Sequence, residues 1–228
     1  VNAKAFVLID MKSNKVIAEK NSEIRLAPAS LTKMMSLYVI SYALKTGQIS
    51  LDDTVRISKH AWKTAGSRMF VKEGQRIAVR ELLKGIIVQS GNDACTAMAE
   101  YVGGSEKGFT DLMNQHAKRL GMTQSHFTDS TGLPNKDLYS SARDMAILGA
   151  ALINDFPEYY HWYKQKWFTF NGIRQPNRNR LLWRDSDVDG IKTGHTNQAG
   201  FCLVASAKKN DMRLISVIFG ARNESVRA

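Results

Sequence analysis

Strand-like segments lie at both ends of this 228-residue chain, and helix-like segments fill its middle. Residues 3–10 are mostly apolar, a polar Ser-Asn turn follows, and residues 16–18 are apolar again, which is the pattern of a β-hairpin. Residues 189–193, 201–207 and 213–219 predict three further strands, whose short connecting turns favour antiparallel pairing. We therefore predict an α+β fold, in which an antiparallel sheet from both chain termini packs against helices, with a mainly helical subdomain.

We predict that the whole chain, residues 1–228, forms a single domain that is large enough to be a catalytic domain. Of its residues 43% are hydrophobic, and no linker or repeat interrupts it. The sheet region is expected at about 1–25 and 187–228, and the helical region at about 26–186. No run of about 18 apolar residues is present, so no transmembrane helix is predicted. The chain starts almost directly in its first predicted strand, so we expect that a signal peptide has been removed.

Apolar residues at helical spacing predict the central helices. The first begins near Ser30 and stops at Gly47, and because it is apolar on much of its circumference we expect it at the centre of a helical cluster. Ser141 and Asp144 have the spacing of a capping box at the start of a later helix. Asn171-Gly172 predicts a tight hairpin turn.

The net charge of +11 favours anionic partners in general. The 32 Lys and Arg residues are dispersed, however, so we interpret most of them as a solvated surface and predict no nucleic-acid partner. Cys95 and Cys202 are far apart in sequence with apolar neighbours, which predicts two buried free thiols. No metal-binding spacing is present, and we expect neither a metal nor a cofactor.

Three short motifs carry the chemistry. Ser30 and Lys33 stand three residues apart at a predicted helix start, so their side chains should lie on one face of the helix. Ser90-Gly91-Asn92 falls in a break between two predicted helices, and Lys192-Thr193-Gly194 ends a predicted strand, with His195 next. Each motif alone is common, but the three in this order are typical of serine β-lactamases and penicillin-binding proteins.

With these motifs the chain resembles the serine-type D-alanyl-D-alanine carboxypeptidases, which are low-molecular-weight penicillin-binding proteins of the S11 peptidase group. The resemblance extends over essentially the whole chain, and its most similar stretches are residues 27–35, 89–94, 140–146 and 189–196. It implies the same fold that the patterning predicts. It also implies removal of the terminal D-Ala from peptidoglycan pentapeptide stems, and covalent inhibition by β-lactam antibiotics.

The motif residues can be given chemical roles. We expect Ser30 to be the nucleophile that forms an acyl-enzyme, and Lys33 to be its base, because burial near Lys192 would disfavour the charged amine. Ser90 is expected to relay a proton to the leaving amine. Asn92 is expected to bind the substrate backbone and to hold Lys33.

The opposite wall of the site is expected to bind the substrate. Gly194 would let the peptide pair along the sheet edge, and the backbone N–H groups of Ser30 and His195 would form the oxyanion hole. By the resemblance, Thr193, Arg178 and Arg227 would bind the terminal carboxylate. Ser67 lies in a loop-like stretch and is expected to shape the pocket rim. The Cys95 thiol is expected to pack behind the site.

Three other functions stay open on the sequence. A serine β-lactamase would share the motifs, but Glu158-Tyr159-Tyr160-His161-Trp162 lacks the Asn of the class A Glu-x-x-x-Asn loop, so slow hydrolysis of bound penicillin is predicted. A D,D-endopeptidase would use the same residues. An inactive peptidoglycan-binding protein is disfavoured by the intact motifs.

Members of the family commonly continue into a helix, a second β-rich domain and an amphipathic membrane anchor. We expect that this C-terminal domain and anchor are absent from the chain and that any membrane association depends on them. The expected location is extracytoplasmic, in the bacterial periplasm or on the outer face of the cytoplasmic membrane.

Overall fold

A five-stranded antiparallel sheet forms one layer of the molecule, and its strand order is β2-β1-β9-β8-β7. The computed structural model describes residues 2–227. The strands of this sheet are β1 (Ala5–Asp10), β2 (Lys15–Lys20), β7 (Val188–Thr196), β8 (Gly200–Lys209) and β9 (Met212–Ala221). The N-terminal hairpin thus joins the three C-terminal strands through the pairing of β1 with β9, as the sequence predicted.

The helical layer contains the remaining elements in chain order. They are α1 (Thr32–Lys45), α2 (Lys59–Lys63), α3 (Val79–Lys84), α4 (Asn92–Gly103), α5 (Glu106–Arg119), α6 (Ala142–Asp155), α7 (Pro157–Tyr160), α8 (Leu181–Arg184) and α9 (Glu224–Arg227). Two small antiparallel hairpins interrupt this region, β3 (Thr54–Arg56) with β4 (Arg76–Ala78), and β5 (Trp167–Phe170) with β6 (Ile173–Pro176). None of the helices within residues 2–227 is both long and apolar enough to cross a bilayer.

Alternating burial explains how the sheet meets the helices. In β1 the side chains of Ala5, Val7 and Ile9 are buried, and the intervening side chains are partly exposed. Because successive side chains of a strand point to opposite faces, the buried residues form one continuous apolar face. Helix α6 packs on that face against β1, β8 and β9.

Helix α1 is the centre of the helical layer. Every residue from Thr32 to Leu44 is buried except Tyr42, which confirms the prediction from its all-round apolar surface. A helix enclosed in this way has almost no freedom to move, so residues at its start are held in fixed positions.

Local turn chemistry is confirmed at the hairpin and at one helix start. Asn171 and Gly172 have φ angles of 48° and 75°, which suit the tight turn between β5 and β6. Ser141 caps α6 by accepting a hydrogen bond from the Asp144 backbone N–H at 3.1 Å. The Asp144 carboxylate differs from the capping-box prediction, because it accepts hydrogen bonds from the Gln124 backbone N–H and the Ser125 hydroxyl. A tertiary contact has replaced the local one.

Candidate active site

The three motifs meet around one cavity of about 490 Å³. It lies where the edge strand β7 faces the 3₁₀ turn Ala29–Leu31 at the start of α1. The predicted site residues that line it are Ser30, Ser67, Ser90, Arg178, Thr193, Gly194, His195 and Arg227. Lys33, Asn92 and Lys192 are buried next to these lining residues.

The pair of Ser30 and Lys33 forms one wall of the cavity. Ala29 has a φ of 48°, a left-handed conformation that is unusual for a residue other than glycine and is typical of functional turns. The turn that follows brings the Lys33 Nζ within 2.9 Å of the Ser30 Oγ. The same Nζ donates to the backbone carbonyl of Thr131 at 2.9 Å, so the amine is held from two sides.

The environment of Lys33 favours the neutral amine. Its side chain is fully buried, and this loss of hydration lowers the pKa of Lys33 to about 8. The positive charge of Arg178 lowers this pKa further, and the negative charges of Asp93 and Asp129 act in the opposite direction. A lysine in this state can accept the proton of a neighbouring hydroxyl group.

Ser90 and Asn92 form a second wall, where the backbone departs from regular helix. Helix α3 continues into a π-helical turn, Gly85–Gln89, which ends at Ser90 with a φ of 63°. The Ser90 Oγ and the Asn92 Oδ1 are buried and have no hydrogen-bond partner among the described residues. Because buried polar atoms are nearly always paired, the unpaired Oγ of Ser90, a residue that lines the cavity, is suited to meet a bound molecule.

Asn92 differs from the sequence prediction in one respect. Its Nδ2 donates to the backbone carbonyl of Ala65 at 2.6 Å and forms no hydrogen bond with Lys33. The backbone carbonyl of Thr131, and not Asn92, accepts a hydrogen bond from the Lys33 Nζ. Asn92 therefore braces the 64–70 loop, and its backbone N–H donates to the Ser67 carbonyl at 2.7 Å.

Strand β7 forms the facing wall. A Cβ atom at Gly194 would lie 3.2 Å from the Ser30 backbone nitrogen, so glycine permits the close approach of the strand to the turn. Lys192 is buried, and its Nζ donates to the Thr193 carbonyl at 3.2 Å. Burial, followed by the charges of Lys33 and Arg178, lowers the pKa of Lys192 well below its ordinary value.

The far end of the cavity is positively charged. Arg178, Arg180 and Arg227 line it, and Glu224 is the one acidic residue among the lining residues. The Arg178 Nε donates to the Gln89 carbonyl at 3.1 Å, which leaves the rest of its guanidinium group for other partners. The His195 ring packs on Phe201 with centroids 4.1 Å apart. This end of the cavity suits a carboxylate.

The loop that carries Thr131 was not recognised in the sequence as part of the site. The Asp129 Oδ1 accepts hydrogen bonds from the Thr131 N–H, the Thr131 hydroxyl and the Gly132 N–H at 2.6–2.7 Å. Ser130 is tied to Glu106 by a hydrogen bond of 2.9 Å. The turn-rich composition of residues 129–135 predicts only a loop, because a backbone carbonyl leaves no signature in the sequence.

Asp93 is a second residue that the sequence did not single out. Its buried carboxylate accepts hydrogen bonds from the backbone N–H groups of Met69, Phe70 and Val71. These contacts fix residues 69–71, which follow the cavity-lining Ser67 in the same loop. The only sequence signal for this role is that an aspartate directly follows the Ser-Gly-Asn motif.

Cys95 and Cys202 are both free and buried, as predicted.

Comparison with known proteins fits this geometry. Residues 1–223 match the peptidase S11 family, which is described as D-alanyl-D-alanine carboxypeptidase. The chain belongs to this family. The resemblance and the fold predicted from the sequence are thereby confirmed. No group of three or more His, Cys, Asp or Glu residues within residues 2–227 is arranged to hold a metal ion.

Similar proteins of the S11 family include carboxypeptidases of Escherichia coli. D-alanyl-D-alanine carboxypeptidase DacC of strain K12 is 53% identical over 234 residues, a match that covers 100% of this chain and 58% of that protein. DacA of the same strain is 52% identical over 229 residues, with 97% and 57% covered. The chain thus spans less than three fifths of the length of these curated relatives.

Solved structures of penicillin-binding proteins superpose closely. Penicillin binding protein 5 from Haemophilus influenzae has a TM-score of 0.97 and 46% identity, covering 100% of this chain and 67% of that chain. Penicillin-binding protein D2 from Listeria monocytogenes, in its ampicillin-bound form, has a TM-score of 0.91 and 25% identity, covering 100% of this chain and 93% of that chain.

Proposed function

We propose that this chain is the catalytic domain of a serine D-alanyl-D-alanine carboxypeptidase that removes the terminal D-Ala from peptidoglycan pentapeptide stems. One observation carries the proposal above the others. The buried Lys33 amine lies 2.9 Å from the Ser30 hydroxyl, in a cavity whose far end is cationic. Such a site combines an activated nucleophile with a position for a free C-terminal carboxylate.

Acylation of Ser30 follows from these contacts. The Ser30 Oγ attacks the carbonyl carbon of the penultimate D-Ala while its proton passes to the neutral Lys33 amine. The negative charge on the carbonyl oxygen is stabilised by the backbone N–H groups of Ser30 and His195. Ser90 then passes its proton to the nitrogen of the leaving D-Ala and takes up the proton that Lys33 received, and the C–N bond breaks. The Thr131 carbonyl keeps the Lys33 amine aimed at Ser30 throughout.

Substrate recognition is assigned to the opposite wall. Strand β7 is an edge strand, so the peptide can pair along it next to Gly194. We assign the terminal carboxylate to Arg178, Arg227 and Thr193, with Ser67 forming the rim, and we keep the buried Lys192 with the catalytic residues Ser30, Lys33, Ser90 and Asn92. Arg227 lies against Glu224, with 2.8 Å between its guanidinium nitrogen and the carboxylate, so part of its charge is already neutralised. Arg178 is therefore the stronger candidate.

Within residues 2–227, no comparable dedicated group is found for hydrolysis of the acyl-enzyme. Glu158, the acid nearest in sequence to the class A β-lactamase pattern, is exposed on α7 and does not line the cavity. Glu224 lines the cavity, but its carboxylate is paired with the Arg227 guanidinium at 2.8 Å. Without a free carboxylate to activate water, a penicilloyl group should stay on Ser30 for a long time. This favours inhibition by β-lactams over their turnover.

The decisive measurement is release of D-Ala from diacyl-Lys-D-Ala-D-Ala, together with labelling by a fluorescent penicillin. We expect D-Ala release and a stable label on the wild type, and neither on Ser30→Ala. Rapid turnover of a chromogenic cephalosporin would instead indicate a β-lactamase. Cleavage of crosslinked dimers without D-Ala release would indicate an endopeptidase, and absence of any label would indicate an inactive binder.

The pH dependence of acylation should reflect Lys33. Below its pKa the amine is protonated and cannot accept the Ser30 proton, so kcat/KM is expected to rise with pH and to level off above about pH 8. The pH profile of kcat/KM for D-Ala release measures this, with thermal melting at each pH to confirm that the protein stays folded. The rising limb should persist in His195→Asn. Its loss in that variant would assign the base to His195.

An extracytoplasmic location follows from the proposed substrate, because peptidoglycan lies outside the cytoplasmic membrane. By the family resemblance, any membrane association is proposed to depend on segments outside the catalytic domain.

A further inference from the structure

The β5–β6 hairpin presents an exposed face beside the cavity. Its inward side chains, Phe168 and Gln175, are buried. The alternate side chains, Trp167, Thr169, Arg174 and Pro176, are exposed, and we call these four residues the hairpin face. Trp167 pairs with Pro176 across the hairpin, and Pro176 also lines the Ser30 cavity. The hairpin face is therefore continuous with the cavity mouth.

Two tryptophans give this region an unusual surface. Trp167 and Trp183 are 41% and 40% exposed, and their rings meet edge to face with centroids 5.9 Å apart. The Arg174 guanidinium lies 4.1 Å from the Trp167 ring centre. Large exposed aromatic groups beside arginine are typical of binding surfaces, since an indole combines a flat apolar face with a polar N–H group.

The charge around the hairpin face is one-sided. Between residues 159 and 184 the chain has six Lys and Arg residues and no Asp or Glu. They are Lys164, Lys166, Arg174, Arg178, Arg180 and Arg184. Residues 54–72 form a second segment of this kind, with five Lys and Arg residues and no Asp or Glu, so the excess positive charge of the chain is concentrated in these two segments. A partner that fits the segment 159–184 carries negative charge.

The hairpin is firmly attached to the body of the protein. The Asn177 backbone N–H donates to the Lys166 carbonyl at 2.8 Å, and the Asn177 Nδ2 donates to the Gln165 carbonyl at 2.9 Å. The Gln175 side chain donates to the Arg68 carbonyl at 3.3 Å. A surface held in this way loses little entropy when it binds.

We propose that the hairpin face, with Trp183, binds the peptidoglycan polymer next to the stem that is being cut. The proposal rests on the carboxypeptidase function. Sugar rings present flat arrays of C–H groups that stack on indole faces, and the stem carboxylates pair with the arginines. Continuity with the cavity favours the polymer over an acidic lipid surface, because the cavity and the hairpin face then contact one and the same molecule.

Binding to insoluble peptidoglycan tests the proposal. In a Ser30→Ala background, Trp167→Ala and Trp183→Ala are expected to weaken sedimentation with peptidoglycan at least about fivefold each. Arg174→Glu, an exposed substitution that leaves the core untouched, should weaken it similarly. The matched control is Trp62→Ala on α2, because Trp62 is 37% exposed and does not belong to the hairpin. The control should bind as tightly as the parent.

Two further measurements separate the possible outcomes. With Ser30 intact, the hairpin variants should lose activity on peptidoglycan but keep release from diacyl-Lys-D-Ala-D-Ala, which carries no glycan strand. Absence of D-Ala release from the wild type would reject the carboxypeptidase function, whatever the binding result. Equal peptidoglycan binding by all variants would overturn the hairpin proposal. The proposal would also be overturned if the hairpin variants kept their binding to peptidoglycan and lost only their binding to vesicles that contain anionic lipid.

Discussion

Replacing Lys33 by methionine is expected to slow acylation of Ser30 by ~10²–10⁴-fold, the range typical of losing a general base. The lysine is fully buried and its amine is the group within hydrogen-bond distance of the Ser30 Oγ. Methionine nearly conserves the side-chain volume, so the substitution removes the base without opening a cavity. The measurement is the rate at which a fluorescent penicillin labels the protein.

The control for this experiment is Lys45→Met at the other end of α1. Lys45 is exposed and its amine contacts the Asp155 carbonyl, far along the helix from Ser30. Its labelling rate should match that of the wild type, and circular dichroism should show both variants folded. Labelling of Lys33→Met within tenfold of the wild type would mean that another group accepts the Ser30 proton.

Asp93→Ala is expected to destabilise the protein by about 3 kcal/mol or more. The carboxylate is 1% exposed and accepts hydrogen bonds from three consecutive loop N–H groups, at 2.8 Å for Met69, 3.0 Å for Phe70 and 3.2 Å for Val71. Met69 and Val71 are themselves buried, so their N–H groups would be left without an acceptor. Urea denaturation gives the change in the free energy of unfolding.

Asp111→Ala is the matched control for Asp93. Asp111 forms an exposed ion pair with Lys107 on α5, and a pair of this kind contributes roughly 0–1 kcal/mol. A loss below about 1 kcal/mol for Asp93→Ala would show that water replaces the carboxylate in the loop. Because the same loop carries Ser67, slower penicillin labelling of folded Asp93→Ala should accompany the loss of stability.

Local patterns predicted the elements whose causes are themselves local. The Asn171-Gly172 turn, the Ser141 cap and the buried circumference of α1 each follow from residues close in sequence. The same patterns failed for Asp144 and Asn92, whose side chains form hydrogen bonds with distant segments. Sequence periodicity also did not reveal the short β3–β4 hairpin, whose strands have three residues each.

The sequence by itself determined that strands from both chain termini form one sheet, that Ser30 and Lys33 lie on one face of a helix, and to which family the chain belongs. Those features depend on side-chain periodicity, helical geometry and residue identity. Only the tertiary structure decided that Thr131 holds Lys33, that Asp93 holds the 69–71 loop and that the hairpin face adjoins the cavity. These contacts join segments far apart in the chain, and in two of the three cases through backbone groups that every residue possesses.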